Sequence, residues 1–190
     1  MFFNAEESII EILRHFVPQN DIIFYTMTSI ETKLISLQSL KKKLIPLRRR
    51  DKTIAFTNGC FDLMHLGHVK YLQAAKKKDR ILIVGLNSDK SIKRIKDPSR
   101  PICPQKSRAA VLAALAVVDF VVIFDEETPY ELIKALKPDV LIKGADWKGK
   151  KVAGADLVKK VELIRYVKGF STTNIINRIL KSNVILRNVS

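Results

Sequence analysis

Between Thr53 and Val167 five short apolar runs recur, TIAFT, RILIVGL, FVVIF, DVLIK and VELIRYV, each rich in Val, Ile or Phe. Between them lie longer segments in which apolar residues return every third or fourth position: HVKYLQAAKKK, KSRAAVLAALAVV and PYELIKALK. The first pattern has the length and continuity of strands buried on both sides, the second that of helices with one apolar face. Such strands alternating with helices predict a doubly wound five-stranded parallel sheet, an α/β domain of about 130 residues covered on both faces.

Upstream of Thr53 the texture differs. Ile9, Ile10, Leu13 and Phe16 fall on one face of a short helix that Pro18 should end. DIIFYTM reads as a loose extended piece, and SIETKLISLQSLKKKLIPL as a second helix interrupted near Pro46. The expected organisation is a helical N-terminal extension over residues 1–26, a helical lead-in over 27–52 and a domain over 53–190. Met27 is an alternative start, and the first 26 residues are expected to be dispensable.

Composition narrows the picture. At 190 residues and 47% apolar content the chain can bury one sizeable core but not two large ones. Thirty-four Lys and Arg against nineteen Asp and Glu leave a formal charge of +15, a surplus suited to a phosphorylated ligand. The basic runs at 41–43, 48–50 and 76–78 are scattered as solvated faces are, with no Arg/aromatic ladder and no finger spacing, so nucleic acid is not the expected partner. Cys60 and Cys103 cannot build a disulfide framework and suit a reducing cytoplasm. The first residues carry Glu6, Glu7 and Glu11 through their apolar positions, unlike a secretory signal, and no run approaches the roughly 18 apolar residues of a membrane span. A soluble protein is expected.

The chemistry concentrates in FTNGCFDLMHLGHVKYLQAA, where the first strand ends and a helix begins. Ligands of such sheets bind beyond the carboxyl ends of the strands, where strand order reverses. Asn58 and Gly59 allow a tight turn, and Gly67 removes a side chain at the helix start, opening free amides and the positive end of the helix dipole to a phosphate. His65 and His68 can aim ring donors at the same anion. A zinc site from Cys60, His65, His68 and Cys103 lacks the tight Cys-x-x-Cys or His-x3-His pairs that structural zinc recruits. A core role explains either histidine alone, but less well two of the chain's three histidines around one glycine. Far downstream, KGFSTTNIINRIL offers Ser171, Thr172 and Thr173 as cap and first turn of the last helix, or as a second phosphate cradle; the segment leaves both open.

GCFDLMHLGH with a downstream STTNII resembles the nucleotidyltransferase superfamily that carries a His-x-Gly-His signature. VGLNSDKSI, RPICP, AALAVVDFVVIFDEETPYELI, KPDVLIKGADW and GFSTTNII extend the likeness, over residues 53 to about 180, to the heptose 1-phosphate adenylyltransferases found alone or as a domain of ADP-heptose synthase. The resemblance implies a Rossmann-like fold. It also implies that an oxygen of a sugar 1-phosphate, D-glycero-D-manno-heptose 1-phosphate above all, attacks the α-phosphorus of ATP and expels pyrophosphate. ADP-heptose for lipopolysaccharide or another surface glycan would result. Catalysis would then be placement plus charge neutralisation.

By motif position the resemblance gives His65, His68 and Lys96 the catalytic roles, with Lys93 and Arg94 competing for that of Lys96. Thr57, Asn58, Gly59, Cys60, Phe61, Gly67, Arg108, Gly144, Asp146, Trp147, Ser171, Thr172 and Thr173 would hold the nucleotide. Asp62, which also suits orienting the turn, and Lys143 would meet the sugar phosphate. Mg²⁺ would bridge phosphate oxygens with few or no protein ligands, KSIKRIKDPSRPICPQKSR would be a mobile basic loop, and the protein would be a homodimer.

Glycerol 3-phosphate cytidylyltransferases share the two phosphate motifs and GADW but less between them. A non-catalytic basic module and a fragment of a class I aminoacyl-tRNA synthetase are the other classes; the synthetase's Lys-rich loop and tRNA-binding domain are missing. The chain departs from the family at Lys168, where an acidic or small residue is usual, and in its shorter turn before Val161. No kinase domain of the kind fused to bifunctional members is expected with it, and the heptose 1-phosphate is expected from another protein.

Overall fold

The computed structural model describes residues 30–187 apart from Tyr166 and Lys168. The expectations placed on residues 1–29, including the helix over Ile9 to Phe16 and the dispensable extension, lie outside the described residues, as does the departure at Lys168.

Each of the five apolar runs forms a strand: β1 Thr53–Gly59, β2 Arg80–Asn87, β3 Phe120–Phe124, β4 Val140–Gly144 and β5 Lys160–Ile164. They make one parallel sheet in the order β3-β2-β1-β4-β5. Helices α1 Ile30–Lys33 and α2 Leu37–Arg49 precede β1, and α3 Leu66–Ala75 joins β1 to β2. The chain then runs through α4 Asp89–Ile95 and α5 Gln105–Ala114 to β3, and through α6 Tyr130–Leu136 to β4. After β5 comes α7 Thr172–Arg187.

Alternation along the strands sorts the core into two layers. Ala55, Leu82, Val84 and Leu86 turn to one face, where Leu72 of α3 and Leu112 of α5 close over them. Ile54, Phe56 and Ile83 turn to the other, against Leu40 and Leu44 of α2 and Leu132 and Ile133 of α6. Each large apolar side chain so buried stabilises the fold by roughly 1.5–3 kcal/mol. The lead-in helix α2 therefore shares the domain's core.

Two aspartates before their strands add side-chain rungs. The Asp119 carboxylate accepts from Leu82 N at 2.6 Å and that of Asp139 from Ile54 N at 3.0 Å. Both are matched by bonds from their own amides to Leu82 O and Ile54 O. These contacts help fix parallel register where no hairpin turn can set it.

Two expectations are corrected. The helix over 29–47 breaks at Leu34, not near Pro46: Leu34 bridges Val121 of β3, Ile35 N donates to Val121 O at 3.0 Å, and Ser36 caps a new helix. Pro46 lies within α2 on its exposed side, where water can replace the amide bond that proline removes. The stretch expected as a basic loop is helical at its start and finish. Ser88 caps α4 by accepting from Ser91 N, Ile92 plugs α4 into the core, and α5 begins at Gln105.

Candidate active site

Strand order reverses between β1 and β4, and a crevice opens there beyond the carboxyl ends of the strands. It has a volume of about 820 Å³. Lys143, at the end of β4, spans the reversal by donating from Nζ to Asn58 Oδ1 on β1 at 2.5 Å. The same ammonium lies 4.9 Å from the centre of the Trp147 ring, a cation–π arrangement. Burial pushes the Lys143 pKa down to about 8, against a smaller upward pull from the Asp146 carboxylate.

One wall is the turn from β1 into α3. His65 caps α3, its Nδ1 accepting from His68 N at 3.3 Å, which assigns its proton to Nε2. The two imidazoles stack with centroids 3.8 Å apart and planes 17° from parallel. The Phe61 ring lies 5.1 Å from His68. Burial pushes His68 down to about 4, helped by repulsion from His65, and burial also lowers His65. Both rings are therefore neutral near pH 7, each with one N–H to give. His68 Nδ1 is buried with no hydrogen-bond partner. Gly67 does more here than expose amides: a Cβ on it would lie 3.0 Å from the His65 ring and 3.3 Å from Phe170 Cβ. Its missing side chain makes room for the first histidine.

Beside this turn, against Gly67, stand Phe170, Ser171 and Thr172 at the start of α7. Ser171 Oγ accepts from Asn174 N at 3.1 Å, so that hydroxyl is the cap. Thr172 lines the cleft and Thr173 does not.

The other residues singled out in the sequence divide. Asn58, Gly59, Cys60, Phe61, Lys96, Gly144 and Trp147 also line the cleft. The Cys60 thiol is pushed up by burial more than the nearby Lys96 and Arg108 charges lower it, so it stays protonated. Asp146 does not line the cleft, and Thr57 sits behind it with its hydroxyl 2.8 Å from that of Tyr71. Arg108 and Asp62 are buried behind the cleft as well.

The structure adds residues the sequence reading passed over, Tyr71, Asn87, Glu127, Thr128 and Phe170 among them. Tyr71 was within reach of sequence, since three residues after His68 on a helix is the same face. Asn87 is the last residue of β2 and Asn58 the last but one of β1. Glu127 and Thr128 carried no signal, because only the packing of β3 beside β2 brings their loop over the crevice.

The chain is 57% identical over 152 residues to the bifunctional protein HldE of Campylobacter fetus, covering 80% of this chain and 32% of the relative. It is 61% identical over 132 residues to that of Nitratiruptor, covering 70% and 29%, and 55% identical over 160 residues to that of Campylobacter jejuni serotype O:6, covering 84% and 34%. The chain thus spans about a third of the length of these curated relatives. A solved structure, the lipopolysaccharide core biosynthesis protein from Thermoplasma volcanium, overlays on 62% of this chain and 98% of its own with 28% identity and a TM-score of 0.49. The cytidylyltransferase-like pattern matches residues 56–184. Every residue lining the cleft falls inside that span, and the chain belongs to the cytidylyltransferase-like family.

Proposed function

We propose that this protein transfers AMP from ATP to a sugar 1-phosphate, D-glycero-D-manno-heptose 1-phosphate, forming ADP-heptose and pyrophosphate for lipopolysaccharide or another surface glycan. The observation that carries the reading is the convergence of the His65–His68 turn and the Ser171–Thr172 helix start on one cleft. The choice of sugar follows the long resemblance between those two motifs, and relatives that share the bifunctional name support it.

A phosphate oxygen of the sugar 1-phosphate bonds to the α-phosphorus of ATP, the bond from that phosphorus to the bridging oxygen breaks, and pyrophosphate leaves with the electron pair. No covalent enzyme intermediate is required, so the chain supplies position and charge. Neutral His65 and His68 donate N–H to the nucleotide phosphates. The free amides of the first turn of α7 and the Thr172 hydroxyl hold the departing phosphates. Lys96 on one rim and Lys143 on the floor balance the charge that develops, and Trp147 lies on the nucleoside side. The surplus of +15 concentrates anionic substrates near the protein.

Among the described residues no group of three or more His, Cys, Asp or Glu could hold a metal. A Mg²⁺ ion, carried in with the nucleotide rather than by side chains, would supply further neutralisation of charge beside Lys96 and Lys143. The reading has residues 53–190 as the catalytic domain of a cytoplasmic homodimer acting on small molecules. Free Cys60 and Cys103 suit that setting, and no described helix is long and apolar enough to cross a membrane.

Pyrophosphate release with Mg²⁺, each of the four nucleoside triphosphates and either heptose anomer tests the proposal. ATP with heptose 1-phosphate should lead. If CTP with glycerol 3-phosphate outperforms it, the protein is a cytidylyltransferase of polyol phosphates; if no pair releases pyrophosphate, it is a basic binding module. His68→Ala should keep the fold and lose on the order of 10²-fold in turnover, because a transition-state donor is removed. Turnover surviving within a few-fold would make His68 structural.

A further inference from the structure

Phe61 has a backbone φ of 43°, in the left-handed region that a bulky L-residue adopts only where its surroundings impose it. Both of its neighbours are held. The Cys60 carbonyl accepts from Arg108 Nη1 at 2.6 Å. The Asp62 carboxylate accepts from the amides of Ile102 and Cys103, each at 2.9 Å, and pairs with Arg100 Nη2 at 2.6 Å. Arg108 is 1% exposed and Asp62 4%. The guanidinium is further engaged by Cys103 O and Asn87 O, both at 2.9 Å, and by the Asp89 carboxylate at 2.7 Å. Neither side chain lines the cleft.

We infer that Arg108 and Asp62 are positioning residues: from behind the cleft they hold the Cys60–Asp62 backbone in the turn that presents the Phe61 ring to His68, and so set where His68 stands. The network ties two segments that border the cleft, the turn after β1 and the end of β2, to the stretch leading into α5 behind it. The Phe61 ring is 5.1 Å from the His68 imidazole, and an added Cβ on Gly59 would come 3.0 Å from Phe61 Cε2. That close approach leaves the ring little room to swing toward β1. Released from its two anchors, Phe61 relaxes to ordinary extended or helical backbone, its ring withdraws, and His68 loses its aromatic neighbour. The inference rests on reading His68 as a transition-state donor.

The experiment is a double-mutant cycle on turnover. Asp62→Asn and Arg108→Lys are measured alone and in the His68→Ala background, with thermal melts to confirm folding. Each alone should lower kcat about tenfold or more, with KM for ATP held within about threefold, as expected for lost placement rather than lost binding. In the His68→Ala background each should cost less than about twofold. Full multiplication of the effects would overturn the inference. Should both variants fail to fold, Phe61→Gly decides: glycine accepts the left-handed backbone without help, so only the ring is lost. Its kcat should fall as in Asp62→Asn, and wild-type turnover from Phe61→Gly would sink the idea. If His68→Ala itself leaves turnover intact, the reading of the site has failed. The positioning claim is then read from the His68 ring resonance, which should titrate higher in Asp62→Asn than in wild type, an unmoved titration counting against it.

Discussion

Two imidazoles kept neutral side by side have a consequence for stability. His68 falls from an ordinary 6.5 to about 4 because it is buried and beside His65. The unfolded chain takes up a proton on this residue as pH drops through 6.5, whereas the folded chain resists until about 4. Its contribution is therefore fully present above pH 6.5 and lost progressively as pH falls from 6.5 towards 4. Urea midpoints measured at pH 7 and pH 5 should separate clearly in wild type and much less in His68→Gln, with His65 supplying the remainder. Equal separation in both would place the acid sensitivity elsewhere. That the histidine pair stands on the cleft was legible in its spacing around Gly67 and its place after a strand. That His65 gives its Nδ1 to the cap, so that the two rings play unequal parts, was not. The bond from His68 N depends on how the turn closes over Phe61.

At the scale of elements, the start of α7 separates three hydroxyls that sequence shows only in a row. Ser171 is the cap, Thr172 faces the cleft and Thr173 turns away from its lining. Thr172→Val should weaken ATP binding about tenfold, the order expected for a hydrogen bond to a charged group, while Thr173→Val stays within about twofold. Isothermal titration with ATP distinguishes them, and equal losses would point to a disturbed helix instead. The helix itself was readable from the Ser-Thr-Thr start and the spacing of Ile175, Ile176 and Ile179. The break in the lead-in was not. Apolar spacing runs on across residues 29–47, and only the edge of β3, where Val121 O takes the Ile35 amide, makes it worthwhile to interrupt the helix at Leu34. The basic stretch after β2 likewise became α4 because the apolar face of Ile92 had a core to enter.

For the whole molecule, stability and catalysis should respond to different residues. Leu82 is fully buried in the central sheet among Leu72 and Leu112, away from the cleft. Leu82→Ala should cost about 2–5 kcal/mol in urea unfolding, yet keep near wild-type kcat at temperatures where it stays folded. A variant with normal stability would mean the layer repacks. The chain's own pattern determined that five buried strands would alternate with helices, because continuous apolar runs and three-to-four spacing are local properties. It also marked the first strand-to-helix turn and the last helix start as candidate places for anions, since glycines, hydroxyls and free amides advertise themselves at those positions. Only the tertiary structure decided that strand order reverses between β1 and β4, which is what brings Lys143 to Asn58 and carries residues more than a hundred positions apart onto one cleft. It alone put Arg108 and Asp62 behind that cleft. A charge in a sequence looks the same whether it will face substrate or carbonyls, and burial, which follows from how the segments pack, makes the choice.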